Sequence, residues 1–251
     1  MGLIITTNDQ KIKGSDQTMR QSVEAALEKL CPAIRITGHE PIVAMAAVND
    51  EKEFCDLLKR NNTGCKLVRD LLMSKSRVSI MYTSEKNGWE HDRVPNRNES
   101  LGAYRVHWNP LWSARELFER GEATSGNERF DKISAIAILA HELAHAWNDL
   151  AGGTRKVALN KYLPPPPKEW THGAPSYWNE YPAVLVQNAT FHDMAVAQAA
   201  AGGPAFDPKD DKAWGRKRYD IKLTKWNEDP FKDDRCSCKQ YFAETKKGWG
   251  K

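Results

Sequence analysis

The segment from Asp131 to Ala151, DKISAIAILAHELAHAWNDLA, constrains the fold of this chain more than any other. Ile133, Ile136, Ala137, Ala140, Ala144 and Trp147 recur at helical spacing and predict one long helix with an apolar stripe. Asp131 is placed to cap its start, and Gly152 and Gly153 to end it. A helix this apolar must be covered by other elements. Yet His141, Glu142 and His145 lie in its middle. A buried carboxylate beside two imidazoles costs several kcal/mol unless something pairs with it. Whatever folds around this helix must therefore also satisfy three polar side chains.

Elsewhere the periodicity changes along the chain. Val23, Ala26, Leu27 and Leu30 predict a helix over Gln17 to Leu30, ended by Cys31-Pro32. Asp50 to Leu72 reads as helical, interrupted near NNTG. RVSIMYTS (Arg77 to Ser84) and AYRVHWNP (Ala103 to Pro110) alternate and are β-branched or aromatic, so both predict strands, with a polar loop between them. A short helix is expected over Leu111 to Arg120. The four consecutive prolines in Asn160 to Trp178 favour polyproline geometry there. A further helix is expected from about Asn179 to Ala201, where Gly-Gly-Pro stops it. The tail from Ala205 is charged and dotted with tryptophan.

The net charge of +4 is small and evenly spread, and the RKR cluster at 216 to 218 is short, so neither points to nucleic acid. No apolar run reaches the length of a membrane span, and the N-terminus lacks the pattern of a secretory signal. MGLIIT matches an N-myristoylation pattern with Gly2 as acceptor. The five cysteines, Cys31, Cys55, Cys65, Cys236 and Cys238, are odd in number and scattered. That reads as free thiols in a reducing compartment rather than a disulfide framework.

The chemistry rests on the long helix. At 3.6 residues per turn His141 and His145 stand one above the other, so both can reach one ion. Zinc accepts such nitrogen ligands, and a catalytic zinc takes three protein ligands and a water. Glu142 lies about 100° around the helix. From there it reaches the water without ligating, which suits a general base. A histidine six residues past His145 is absent, because position 151 is alanine, and this excludes the metzincin arrangement. Asp149 stands one turn beyond His145 and suits the support of an imidazole. The third ligand is expected at Glu180, at the start of the later helix with Asn179 as its cap and Pro182 in the first turn; Glu169 is its rival. Tyr177, Tyr181, His172 and His192 are the candidates for stabilising an oxyanion, with Tyr181 favoured for its place beside Glu180. His107 in the second strand reads as an ordinary surface residue.

HELAHAWND followed by NE at a later helix resembles the gluzincin zinc metallopeptidases. The resemblance implies His141, His145 and Glu180 as zinc ligands, Glu142 as base and Asp149 in support. Two departures stand out: the gap to Glu180 is longer than in thermolysin-like enzymes, and position 184, where those carry a supporting aspartate, is valine. The VHWNP strand and the later E…AV…QN helix, Glu180 to Asn188, also resemble NleD-like bacterial effector and toxin metallopeptidases, over roughly Ala103 to Asn188. That implies cleavage of specific target-cell proteins bound in extended form, with an edge strand, AYRVHWNP or RVSIMYTS, pairing with the substrate. It also implies an accompanying immunity or chaperone protein. The protein would be cytoplasmic in its producing cell and delivered by a route that needs no signal peptide. A housekeeping metallopeptidase or other metal-dependent hydrolase, and a catalytically inactive zincin-like binding protein, are the competing readings. The fold expected is α+β and zincin-like, helix-rich with a small antiparallel or mixed sheet beside the HExxH helix. Residues 1–75 are expected as a helical region, 76–204 as the metallopeptidase core, and 205–251 as an extension packed on the core or partly irregular.

Overall fold

The computed structural model describes residues 2–6, 11–12, 15–82, 88–91, 104–110, 128–150, 174–202 and 238–251. Its elements in chain order are β1 (Gly2–Ile5), α1 (Met19–Leu30), β2 (Ile34–His39), β3 (Ile42–Ala46), α2 (Glu51–Arg60), α3 (Asn62–Leu72), β4 (Arg77–Tyr82), β5 (Gly88–His91), β6 (Tyr104–Trp108), α4 (Glu128–Leu150), α5 (Ala174–Ala200) and α6 (Cys238–Lys247). The architecture is α+β.

Local chemistry explains the first helices. Thr18 and Gln21 form a capping box at α1, with Thr18 N donating to Gln21 Oε1 at 2.9 Å and Gln21 N to Thr18 Oγ1 at 3.3 Å. Asp50 accepts from Glu53 N at 2.8 Å, and Glu51, Glu53, Lys59 and Arg60 complement the α2 dipole. The expected interruption near NNTG is a break at Asn61. There the cap comes from another helix: Thr63 N donates to Asp193 Oδ2 of α5 at 3.4 Å. Gly64 lets α3 lie against the end of α1, because a Cβ at that position would collide with the Leu30 carbonyl oxygen.

Four strands form one mixed sheet in the order β1-β4-β6-β5. β1 and β6 both run parallel to β4, with Leu3 opposite Val78 and Val78 opposite Tyr104; β5 runs antiparallel to β6, with Trp89 opposite Val106. Both segments expected to offer a substrate-pairing edge are therefore interior. β4 is paired on both sides, and so is β6. Among the described residues the edges are β1 and β5, and β5 falls in the segment read as a polar loop. β2 and β3 form a separate hairpin around the cis Glu40–Pro41 peptide, and the main-chain groups of Trp249 and Ala44 pair beside it at 2.9 and 3.0 Å.

The region expected to be helical up to residue 75 thus holds three strands as well as three helices. Gly2 is buried with φ +89°, and a Cβ there would meet the Leu72 carbonyl oxygen. Its N–H donates to Ser76 O at 3.3 Å. The glycine of the myristoylation pattern is thus the packed first residue of a strand. The hydrophobic core runs without a break from Leu3 and Ile5 through Val78, Leu139 and Val186 to Phe242 and Trp249.

The cysteines overturn the thiol reading. Cys31 is bonded to Cys65 and Cys55 to Cys238. The first bond ties the end of α1 to α3, and the second ties α6 to α2. Parity and spacing misled because both partners are brought together only by tertiary packing, 34 and 183 residues apart. The case for a reducing compartment loses its ground with them. No helix among the described residues is long and apolar enough to cross a membrane.

Candidate metal centre

Among the described residues α4 packs against α5, α3, α1, β6 and β5. The expected helix begins three residues before Asp131, so Asp131 is an interior residue and not its cap. Every residue from Ile136 to Asn148 is buried, not only the expected stripe. The alanines at 137, 140, 144 and 146 let neighbouring elements approach from all sides. Two tryptophan N–H groups fix the helix in place. Trp108 of β6 donates to the Ala135 carbonyl at 2.8 Å, and Trp147 donates to Asp70 Oδ2 of α3 at 3.0 Å.

Inside this helix His141, Glu142 and His145 are 5%, 7% and 1% exposed. The two imidazoles converge: their Nε2 atoms are 3.1 Å apart, with ring centroids at 4.7 Å and planes at 86°. A tetrahedral zinc with nitrogen ligands at about 2.0–2.1 Å sets those nitrogens about 3.3 Å apart. The observed spacing fits that requirement. One oxygen of Glu142 and the two imidazole nitrogens all lie within 4.8 Å of one another, so the three side chains form a group able to hold a metal ion. Its acceptor-rich, buried donor set suits a divalent cation, whose charge offsets the cost of burying the carboxylate.

Asp70 is the anchor that sequence reading missed. Its carboxylate meets Lys66 Nζ at 3.2 Å, Arg69 Nη1 at 3.1 Å and the Trp147 indole. Arg69 in turn clasps Glu244 of α6 with two bonds, Nε to Oε2 at 2.7 Å and Nη2 to Oε1 at 2.9 Å, and its guanidinium lies 4.5 Å from the Tyr241 ring centre. Burial works against the Arg69 charge, but the Glu244 hydrogen bond and the surrounding negative groups outweigh it and hold the guanidinium protonated more firmly than usual. The same hydrogen bond from Arg69 holds the Glu244 carboxyl below the usual carboxylate range. Nothing in the local sequence marks Asp70, which lies 77 residues from Trp147.

Glu180 does not open a helix. α5 begins at Ala174, so Asn179 is not its cap, Glu180 is its seventh residue and Pro182 its ninth. The first-turn proline is Pro175, and the expectation applied a correct rule to the wrong proline. The stretch Ala174 to Trp178, expected as irregular, is helical. The side chains of Glu180, Tyr181, Tyr177 and Asp149 lie outside the described residues, as do His172, Glu169 and the expected helix over Leu111 to Arg120. His192 lies in the described part of α5. It lies about 18 Å further along α5 than Glu180, and its Nδ1 faces Asp193 at 3.5 Å. His107 lies in β6, half-buried.

No protein-family model, curated protein or solved structure matches the chain.

Proposed function

We propose that this protein is a zinc-dependent endopeptidase of the gluzincin type. The observation that carries the reading is the convergence of two histidine Nε2 atoms at 3.1 Å, with a glutamate between them, on a helix buried on all sides. Two imidazoles one turn apart can pair by a hydrogen bond alone, so the weight falls on the buried Glu142 oxygen within 4.8 Å of both nitrogens, which completes a donor set for an ion. His141 and His145 would supply two ligands, with Glu180 proposed as the third. When bound, zinc supplies Lewis acidity that polarises a carbonyl and brings a water within reach of deprotonation near neutral pH. Glu142 would accept a proton from the attacking water on its carboxylate and return it to the departing amide nitrogen. Asp149 supports an imidazole, and Tyr181 donates to the oxygen that gains charge.

A substrate strand would add at β5, the edge strand among the described residues that packs beside α4, with main-chain hydrogen bonds for affinity. The target is a specific protein of another cell, as the resemblance to effector and toxin metallopeptidases implies. Two disulfides favour a protein that is exported into an oxidising compartment.

The test is elemental analysis of the purified chain alongside peptidase assays on a denatured-protein panel. One zinc per chain is expected, kept by Glu142→Gln with hydrolysis lost by about 10²–10⁴-fold and depleted in Glu180→Ala. A parent chain that takes up no zinc, or a Glu142→Gln variant of full activity, overturns the reading. Full zinc and activity in Glu180→Ala removes that residue from the ligand set.

A further inference from the structure

The two disulfides differ in access. Cys31 and Cys65 are both 0% exposed, whereas Cys55 and Cys238 are each partly exposed. Exchange begins with a thiolate reaching a sulfur, so a reductant meets the Cys55–Cys238 bond first. That bond holds α6 on α2. Six residues beyond Cys238 on α6 stands Glu244, which grips Arg69 with bonds of 2.7 and 2.9 Å. Arg69 reaches Asp70 Oδ1 at 3.1 Å, and Asp70 Oδ2 receives the Trp147 indole N–H at 3.0 Å. Trp147 is two residues past His145 on the same helix. Three polar contacts therefore join the disulfide-held helix to the one that carries both imidazoles.

We propose that α6 is a redox-sensitive clamp on the candidate metal centre. With the Cys55–Cys238 bond closed, Glu244 fixes Arg69, and Arg69 fixes the carboxylate that holds Trp147 and α4 in ligating geometry. Opening the bond loosens α6 and weakens metal binding at His141 and His145. The reaction needs a dithiol reductant: its two thiols give two electrons and two protons to the cysteine pair, its own sulfurs join in a disulfide, and two cysteine thiols result. α6 keeps its apolar seat, with Phe242 against Phe54 at 5.2 Å between ring centres, so the clamp slackens without the helix leaving. The inference rests on the metal-binding reading of the site.

Zinc affinity of the full chain is measured by competition with a chromophoric chelator, comparing the parent with Cys55→Ser/Cys238→Ser, so that no reductant competes for the metal. The double variant is expected to bind zinc about tenfold more weakly, the scale of losses seen when supporting contacts of a metal site are removed. Its cobalt-substituted form is expected to show a shifted absorption spectrum. Trp147→Phe is expected to weaken zinc similarly, and the triple variant no more than the weaker of the two, because both changes break one chain of contacts. Equal affinity in parent and double variant, or losses that multiply in the triple, overturns the clamp. Brief dithiol treatment followed by alkylation is expected to label Cys55 and Cys238 before Cys31 and Cys65, and the reverse order also overturns it. If the double variant does not fold, Glu244→Gln, which leaves both disulfides intact, carries the same expectation. A parent chain that binds no zinc removes the metal reading itself; one that binds zinc regardless of these changes removes the clamp alone.

Discussion

Replacing Cys31 and Cys65 by alanine should remove a large share of the stability of this fold. The bond spans 34 residues that include β2, β3 and α2. Freeing a loop of that length in the unfolded chain costs about 4 kcal/mol near 25 °C by the chain-entropy estimate. Both sulfurs are fully buried, so the vacated volume adds a packing loss to the entropic one. Domains of ordinary stability have about 5–15 kcal/mol in total, so the variant should lie near the edge of folding. Urea unfolding followed by circular dichroism measures the difference. A thiol titration of denatured, unreduced parent protein checks the premise separately. Five cysteines less the four in two bonds leave one, Cys236, to react. Five reactive thiols per chain would refute the pairing. A variant within about 1 kcal/mol of the parent would refute the claim that the bond restrains the unfolded chain.

Two further outcomes follow from the packing around α3. Gly64→Ala should cost roughly 1–2 kcal/mol net, because overpacking against a main-chain oxygen that cannot swing aside outweighs the helix-propensity gain of alanine; equal or higher stability in thermal unfolding would mean that α1 and α3 cross more loosely than described. Glu244→Gln should cost on the order of 1–2 kcal/mol at neutral pH. The parent's Glu244 carboxyl is held below its ordinary range by Arg69, so its contribution is complete above the unfolded carboxylate range and lost as pH falls through the lower folded value. Denaturation curves of parent and variant should therefore converge in acid, and a gap that persists there would contradict the pairing.

What the sequence revealed followed from period and punctuation. α1, the broken pair α2 and α3, β4, β6 and the motif-bearing helix all have apolar repeats long enough to declare their type, and Asn61 broke the pair where NNTG foretold. The HExxH group was legible because its spacing coincides with one helical turn, and its burial follows from the alanines around it. The rest was hidden for separate reasons. β1 and β5 are four residues each, too short for a period, and β5 is written in Gly, Trp, Glu and His. The start of α5 was obscured by a second proline, since Pro182 looked like a first-turn residue and sits mid-helix instead. The disulfides and the Asp70 anchor join positions far apart in the chain, and no local pattern announces such partners.

The interleaving of the core bears on how the molecule can be dissected. The sheet that backs the motif-bearing helix takes an outer strand from residues 2–5, and the clasp on Arg69 comes from residue 244. An excised fragment of residues 76–204 would expose the side of β4 that β1 covers and leave Trp147 without its carboxylate acceptor. Minimal versions for crystallisation, library display or inhibitor screening therefore have to preserve both the β1 segment and the α6 segment.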